Sequence, residues 1–165
     1  MEKSGNTVQI TNQPEPKLLG NPEILAQTKT AYFCSERFKP QAVFASYDWA
    51  EKMRAEKRCV ISGFQSRIEA DVLDILLRGD SPIILVLAKS IYKRVPAQYK
   101  KAFDNGNMLI VSLCPPGILR PNRARSYKRN LWILQNADEV VIGSMTPGGM
   151  LEKAIKQTGI TPVYL

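Results

Sequence analysis

The most hydrophobic run of the sequence is PIILVLA, residues Pro82–Ala88. A run of this kind is typical of a strand that is buried on both faces, and such strands occur mainly in parallel sheets. A second apolar run, Met108–Leu113, ends at the turn-forming Pro115-Pro-Gly117. Between the two runs, Pro96–Asn105 has the length and composition of a short helix. These segments predict a strand–helix–strand unit at the centre of the fold.

The same alternation continues in both directions along the chain. It predicts an α/β fold with a doubly wound, mostly parallel sheet and helices on both faces. The further predicted strands are Thr30–Cys34, Arg58–Ser62, Glu139–Gly143 and Thr161–Leu165, and the further helices are Gln41–Glu56, Ser66–Arg78, Asn122–Gln135 and Gly148–Thr158. Ser66 and Glu69 have the spacing of a capping box.

The length of 165 residues, 18.5 kDa, corresponds to one ordinary domain. Residues 1–17 are polar and are predicted to form a flexible N-terminal arm, which leaves 18–165 as a single domain. The start of the chain has no apolar signal region, and no apolar run approaches the length of a membrane span. We therefore expect a soluble, cytoplasmic protein that makes no membrane contact.

The chain contains no histidine, which excludes Ser-His and Cys-His nucleophile pairs, histidine bases and histidine metal ligands. Its three cysteines, Cys34, Cys59 and Cys114, are too far apart for a zinc knuckle, and their odd number argues against a disulfide framework. They follow or begin predicted strands and have no base to activate them, so we interpret them as core residues. No catalytic residue, metal or cofactor is predicted.

The positive charge is concentrated in one part of the chain. Residues 81–137 hold ten cations and one acid, a net charge of +9, whereas the rest holds 13 cations and 14 acids, a net charge of −1. An asymmetry of this size indicates a polyanionic partner such as nucleic acid, nucleotide or phosphate, although a solvated basic face would have the same composition. Five cations occur close together without an acid, namely Arg120, Arg123, Arg125, Lys128 and Arg129.

Ligands of open α/β sheets bind outside the carboxyl ends of the strands. Two glycine-containing turns are predicted at that edge, Ser62-Gly63 before one helix and Thr146-Pro-Gly-Gly149 before the last. Both can present backbone N–H groups to an anion, although ordinary strand-to-helix turns have the same composition. Neither matches the dinucleotide or P-loop fingerprint.

The turn at Pro147-Gly-Gly echoes the glycine motif of LOG-type nucleoside-monophosphate hydrolases, which are lysine-decarboxylase-like. Leu151 stands in place of that motif's third glycine, and Ile155 stands in place of its catalytic glutamate. The echo therefore does not predict that hydrolase activity. The carboxylates of Glu69 and Asp71 are interpreted as solvated side chains on a helix. Trp132 is predicted to pack in the core, whereas Tyr127 and Tyr92 are candidates for stacking on bases.

Short motifs from about Leu18 to the end resemble those of the DNA-processing protein A family (DprA/Smf), in the same order. The Arg-Asn and Ser-Gly elements carry the most weight. The matching segments are Leu18-Leu-Gly-Asn21 with Ile24-Leu25, Ala31–Arg37, Val60–Gly63 with Ile68-Glu69, Val95-Pro96, Leu109–Ser112 with Pro115–Gly117, Lys128-Arg-Asn130 with Ile133, and Gly149 with Leu151 and Ala154.

The resemblance implies a Rossmann-like SLOG-type domain that binds single-stranded DNA and loads a recombinase during transformation, without catalysis. Several family positions differ. Cys34 and Arg67 stand where the family has glycine, Glu69 stands for an aspartate, and Leu73 stands for a histidine. Leu113 stands for a glutamate and Leu131 for an arginine. The chain looks like a divergent, stand-alone core of the family, since it lacks most of the N-terminal helical domain and the C-terminal winged-helix domain.

Three hypotheses follow: a non-enzymatic binder of single-stranded DNA, a nucleotide-binding sensor or enzyme of the same superfamily, and an interaction module without a nucleic-acid role. The ten cations favour the first, because a mononucleotide needs two or three. Partners are then single-stranded DNA or a nucleotide-like polyanion; a homodimer stays open, and no residue supports a recombinase contact. The predicted phosphate-binding residues are Ser35, Arg37, Ser62, Gly63, Arg67, Arg123, Arg125, Lys128, Arg129, Asn130, Gly148 and Gly149.

Overall fold

The computed structural model describes residues 15–165, and the rest of the predicted N-terminal arm lies outside this range. Within it the strands are β1 (Lys17–Gly20), β2 (Lys29–Cys34), β3 (Cys59–Ser62), β4 (Ile83–Leu87), β5 (Met108–Ser112), β6 (Glu139–Ser144) and β7 (Val163–Tyr164). The helices are α1 (Pro40–Ala55), α2 (Arg67–Leu77), α3 (Lys100–Asp104), α4 (Arg123–Asn136) and α5 (Met150–Thr158), with 3₁₀ segments at Pro22–Ala26 and Ala97–Tyr99.

The strands form one sheet with the order β1-β5-β4-β3-β2-β6-β7. All neighbouring strands are parallel except β1, which runs antiparallel to β5 with Lys17 opposite Ser112. The predicted central strand β4 is buried along its whole length, as its composition requires. The α/β class and the mostly parallel sheet predicted from the sequence are confirmed.

Helices cover both faces of the sheet. On one face, α1, α2 and α3 pack against side chains such as Tyr32, Leu85 and Ile110. On the other face, α4 and α5 pack against the alternate side chains of the same strands, including Phe33, Ile84 and Val111. Successive residues of a strand point to opposite faces, so the central segments of β2, β4 and β5, which are covered on both faces, are apolar on both.

Three predicted segments differ from the structure. Strand β1 was not predicted, because Lys17 was assigned to the flexible arm and the next residues to the domain without a strand. Its four residues show no alternation of polar and apolar side chains, and its partner β5 is distant in sequence. The helix predicted over Pro96–Asn105 is a 3₁₀ turn followed by one short α-helix. The last strand contains only Val163 and Tyr164, and the preceding Pro162 has no N–H to donate to a ladder.

The order of the strands determines where a ligand can enter. From β2 the chain builds outward through β3, β4 and β5, and then crosses back through α4 to place β6 on the opposite side of β2. The loops after β2 and β6 therefore diverge at the carboxyl ends of two adjacent strands. Open α/β sheets bind their ligands in the crevice at such a switch point.

Candidate nucleic-acid interface at the switch point

A cleft of about 490 Å³ occupies the switch point. Its walls are the loop after β2, the start of α2, one face of α4 and the start of α5. Half of the predicted phosphate-binding residues line it, namely Ser35, Arg37, Arg123, Arg129, Asn130 and Gly149. We call this site the switch-point cleft.

The carboxylate of Glu69 holds two walls of the cleft together. Its Oε2 accepts the N–H of Cys34 at the end of β2 (2.9 Å), and its Oε1 accepts the N–H groups of Gln65 (2.9 Å) and Ser66 (3.1 Å). The Ser66 hydroxyl in turn accepts the Glu69 N–H, which completes the predicted capping box of α2. Glu69 is buried, so its interpretation as a solvated helix residue is wrong.

Burial and hydrogen bonding act in opposite directions on the Glu69 carboxyl. Burial raises its pKa, whereas three backbone N–H donors and the nearby Arg129 guanidinium favour the charged form. Burial also lowers the pKa of Arg129, and the charge of Glu69 opposes that shift. The two side chains are buried near each other beneath the cleft, and each favours the charged form of the other.

Arg129, one of the predicted phosphate-binding residues, is buried, with only 6% of its surface exposed. Its Nε donates to Asn130 Oδ1 (3.0 Å) and its Nη1 donates to Gln65 Oε1 (2.9 Å). Among the described residues its other terminal nitrogen, Nη2, has no hydrogen-bond partner, and no fully buried polar side-chain atom lacks one. Nη2 is therefore the part of Arg129 that can reach a ligand.

The guanidinium of Arg129 fits because residue 63 is glycine. A Cβ atom built on Gly63 would lie 2.5 Å from Arg129 Cζ and 2.8 Å from its Nε. The Arg129 side chain therefore packs directly against the backbone of Gly63. The prediction that the Ser62-Gly63 turn presents its backbone to an anion in the cleft finds no support in this geometry, because Ser62 is fully buried and its hydroxyl accepts the N–H of Phe64.

Arg37 and Arg123 are the exposed cations of the switch-point cleft. Arg123 is the first residue of α4, whose N-cap Asn122 accepts the N–H of Arg125 (2.8 Å). Arg37 follows β2 in the loop that also carries the exposed Glu36. Because Glu69 is directed into its own network, the accessible charge of the cleft comes mainly from these two arginines and Glu36.

Ser35 and the start of α5 form the remaining wall. The Ser35 hydroxyl accepts the N–H of Thr146 (3.2 Å), and the Ser35 N–H donates to the carbonyl of Ser144 (2.8 Å), so the two diverging loops are tied together. Helix α5 begins after Gly149 without a side-chain cap. Gly149, Met150 and Leu151 at this end of the helix line the cleft, where the helix start favours an anion, and the first turn also carries the acid Glu152.

The structure does not bring the other predicted residues to the cleft. Arg67 is exposed at the start of α2, and Lys128 is exposed on α4. Arg125 directs its guanidinium to the carbonyl of Arg120 (3.2 Å). Gly148 makes the left-handed turn before α5, with φ of 71°. Ser62 and Gly63 lie outside the cleft lining as well.

Sequence reasoning missed several lining residues. Gln65 and Glu69 organise the arginine, while Ser66, Ser126 and Thr146 add polar groups. The capping-box spacing identified Ser66 and Glu69 locally, but it carried no information about the strand end that Glu69 contacts. Gln65 is an exposed residue in a turn, and no pattern in the sequence distinguishes it from other polar loop residues.

The aromatic and thiol side chains are arranged as follows. Trp132 and Tyr127 pack against the α4–α5 side of the core, and the Tyr127 hydroxyl donates to Gln157. Tyr92 lies beside Lys89, whose Nζ is 5.0 Å from the ring centre. Cys34 and Cys59 are buried, and burial raises the pKa of their thiols to about 11 and about 12. The interpretation as core residues is confirmed for these two cysteines and is wrong for Cys114, which is half-buried in the loop after β5.

Among residues 15–165, no group of three His, Cys, Asp or Glu side chains is placed to hold a metal ion. Within the same range, none of the helices combines the length and the apolar composition that a bilayer span requires.

Comparison with solved structures identifies the fold. DNA processing protein A from Helicobacter pylori, whose structure describes its single-stranded DNA binding mode, superposes with a TM-score of 0.72 and 16% identity over 99% of this chain and 78% of that chain. DprA from Streptococcus pneumoniae gives a TM-score of 0.67 and 18% identity over 87% of this chain.

The chain spans 52% of the S. pneumoniae protein. No protein-family model matches the sequence, and no curated protein matches it significantly. At 16–18% identity the superposition establishes architecture alone. The chain has a DprA-like fold, and the resemblance carried by its short motifs is confirmed at that level.

Proposed function

We propose that this protein binds single-stranded DNA in the switch-point cleft and catalyses no reaction there. The observation that carries the proposal is the convergence of Arg37, Arg123 and the Nη2 of Arg129 on one cleft at the carboxyl edge of a DprA-like sheet. Guanidinium groups bind phosphate oxygens with charge-assisted hydrogen bonds. The H. pylori protein with the same fold binds single-stranded DNA.

The chemistry of the cleft suits a phosphodiester backbone. The exposed arginines would neutralise successive phosphates, and the uncapped start of α5 would donate backbone N–H groups to another. Arg129 would contribute one N–H group from a fixed position, because Gln65 and Asn130 hold the rest of its guanidinium. Such a preformed site loses little side-chain entropy on binding.

A mononucleotide-like ligand is the second candidate. The cleft volume of about 490 Å³ falls within the range of small-molecule sites, and Gln65, Ser126 and Asn130 offer polar groups to a base or sugar. In that case one phosphate would bind at the arginines and no longer strand would be needed.

Fluorescence anisotropy with labelled dT12, a 12-base-pair duplex and labelled mononucleotides distinguishes the candidates. We expect dT12 to bind most tightly, and its log affinity to fall with log salt with a slope of about 2, because each phosphate contact contributes about 0.7. A slope near zero would rule out phosphate binding. Equal affinity for duplex and single strand would rule out the preference, and mononucleotide binding as tight as dT12 binding would favour the second candidate.

Arg123→Ala and Arg37→Ala test the location. Each should lower the dT12 slope by about 0.7 while leaving Tm almost unchanged, because both side chains are exposed. Lys52→Ala is the matched control, since Lys52 is an exposed cation in the last turn of α1, at the opposite edge of the sheet. A loss of affinity for Lys52→Ala equal to that of Arg123→Ala would show that only the net charge matters.

The wider role follows from the same proposal. A DprA-like protein that holds single strands would act in DNA recombination and uptake inside the cell. Its protein partners would be a second copy of itself, in a homodimer, and a recombinase. Light scattering tests the homodimer, and co-sedimentation of the protein with recombinase-coated dT oligomers tests the recombinase contact. A monodisperse monomer that stays in the supernatant when the recombinase filament sediments would limit the role to DNA binding.

A further inference from the structure

A second cavity, of about 590 Å³, lies on the carboxyl edge at the β1 side of the sheet. It shares no lining residue with the switch-point cleft. The loop after β4 and the loop after β5 form its two sides, and Lys17 at the start of β1 lies at its end. We call it the lysine groove.

Ser90 holds the two sides of the lysine groove together. Its N–H donates to the Ile118 carbonyl (2.9 Å), its hydroxyl accepts the Ile118 N–H (2.8 Å), and the same hydroxyl donates to the Pro115 carbonyl (2.5 Å). Three hydrogen bonds from one residue fix the spacing of the loops. The groove is therefore preformed and does not require a ligand to order it.

The lining combines aliphatic side chains with unpaired positive charge. Ile91 and Ile118 are half-buried in it, and Leu119 is 82% exposed at its border. Lys17, Lys89 and Lys93 also line it, no acid does, and none of the three makes an ion pair within residues 15–165. The groove therefore offers adjoining apolar side chains together with positive charge that no acid of its lining neutralises.

We propose that the lysine groove binds an extended segment of a partner protein in which carboxylate side chains alternate with aliphatic ones. In an extended chain alternate residues point to opposite sides. The aliphatic set can therefore fill the groove while the carboxylate set reaches Lys17, Lys89 and Lys93. Aliphatic residues complement Ile91, Ile118 and Leu119, and carboxylates complement the three lysines. This site does not depend on the DNA-binding proposal.

Nucleic acid fits the lysine groove less well than a peptide. Single-strand sites stack bases on aromatic rings, and the aromatic ring of this lining, Tyr92, already lies against the Lys89 ammonium. The lining also contains no arginine, the side chain that binds phosphate in a bidentate manner. DNA binding at this groove is accordingly the alternative that the test must exclude.

The experiment uses the full chain and a fluorescein-labelled hexapeptide of alternating glutamate and leucine. Two control peptides replace either every glutamate by lysine or every leucine by serine. We expect the glutamate–leucine peptide alone to bind measurably below about 1 mM. Lys93→Glu combined with Lys17→Glu should weaken it about tenfold, because two exposed charge pairs become repulsive.

Leu119→Ser should weaken binding of the same peptide. Because Leu119 is exposed, this substitution is expected to leave the fold intact. Arg123→Glu is the matched control: it should weaken dT12 binding and leave peptide binding within about twofold, because it lies in the other cavity. Absence of peptide binding, or equal binding of all three peptides, would overturn the proposal. So would a loss of dT12 affinity for Lys17→Glu/Lys93→Glu as large as for Arg123→Glu, with no effect on the peptide.

Discussion

Gly63 and the Arg129 guanidinium occupy adjoining space, and the candidate site depends on their contact. Gly63→Ala would place a methyl group 2.5 Å from Arg129 Cζ, so the guanidinium must move away from Gln65 and Asn130. We expect a loss of about 1–3 kcal/mol in the free energy of unfolding, together with weaker dT12 binding. Chemical denaturation and anisotropy measure the two effects.

A double-mutant cycle identifies the cause of that loss. Arg129→Ala alone should destabilise the protein, because it removes the hydrogen bonds to Gln65 and Asn130 and the cation near the buried Glu69 carboxyl. In the Arg129→Ala background, Gly63→Ala should cost almost nothing, because the space above residue 63 is then empty. Additive losses in the double variant would contradict the contact described here.

The thiols differ in accessibility and in pKa. Burial raises the pKa of Cys34 to about 11, so only about one molecule in a thousand carries this thiolate at pH 8, and Cys59 has even less. Cys114 is half-buried in the loop after β5. We expect a thiol-specific reagent to label Cys114 first in the native protein, and all three cysteines in denaturant. Rapid native labelling of Cys34, read by peptide mass spectrometry, would contradict its buried position.

Helix α1 is seated on strands β2 and β6 around a residue without a side chain. The Tyr32 hydroxyl donates to Ser46 Oγ (2.6 Å), and the Tyr32 ring stacks on Trp49 at 4.9 Å between centres. A Cβ atom on Gly143 would lie 2.6 Å from Ser46 Oγ and 2.7 Å from the Tyr32 hydroxyl. The three elements thus meet at a point that admits glycine.

Gly143→Ala should therefore lower the free energy of unfolding by about 1–3 kcal/mol through overpacking, which is a Tm decrease of about 3–10 °C for a chain of this size. Tyr32→Phe removes the hydroxyl that the new methyl group would meet. In that background Gly143→Ala should cost clearly less, as differential scanning calorimetry can show. An equal decrease in Tm in both backgrounds would show that the new methyl group does not clash with the Tyr32 hydroxyl.

Local signals explain how far the sequence could predict these elements. The capping box of α2 joins residues three positions apart, and the buried run of β4 is contiguous, so both were visible in the sequence. The burial of Glu69 depends on Cys34, 35 residues earlier, and that of Arg129 depends on Gln65, 64 residues earlier. No spacing rule links such partners, so Glu69 was assigned to the surface, and the contacts that bury Arg129 could not be predicted.

At the scale of the whole molecule, DNA binding should raise thermal stability. A ligand that binds only the folded state at one hundred times its Kd contributes about 2.7 kcal/mol, which corresponds to a Tm increase of about 5–11 °C. We expect dT12 to produce this increase and Arg37→Ala/Arg123→Ala to abolish most of it while keeping the unliganded Tm. An increase of the same size in the double variant would place the DNA outside the switch-point cleft.

The pairing of β2 with β6 also has a consequence for biosynthesis. Lys29 and Asp138, which join the starts of these strands, are 109 residues apart, so a ribosome takes roughly 5–20 s to supply the second after the first. During that interval β2 can pair with β3 on one side while its other edge stays open. A nascent chain therefore acquires its ligand-binding ability only after β6 and the start of α5 have been synthesised, and until then it presents an apolar edge that a chaperone would recognise.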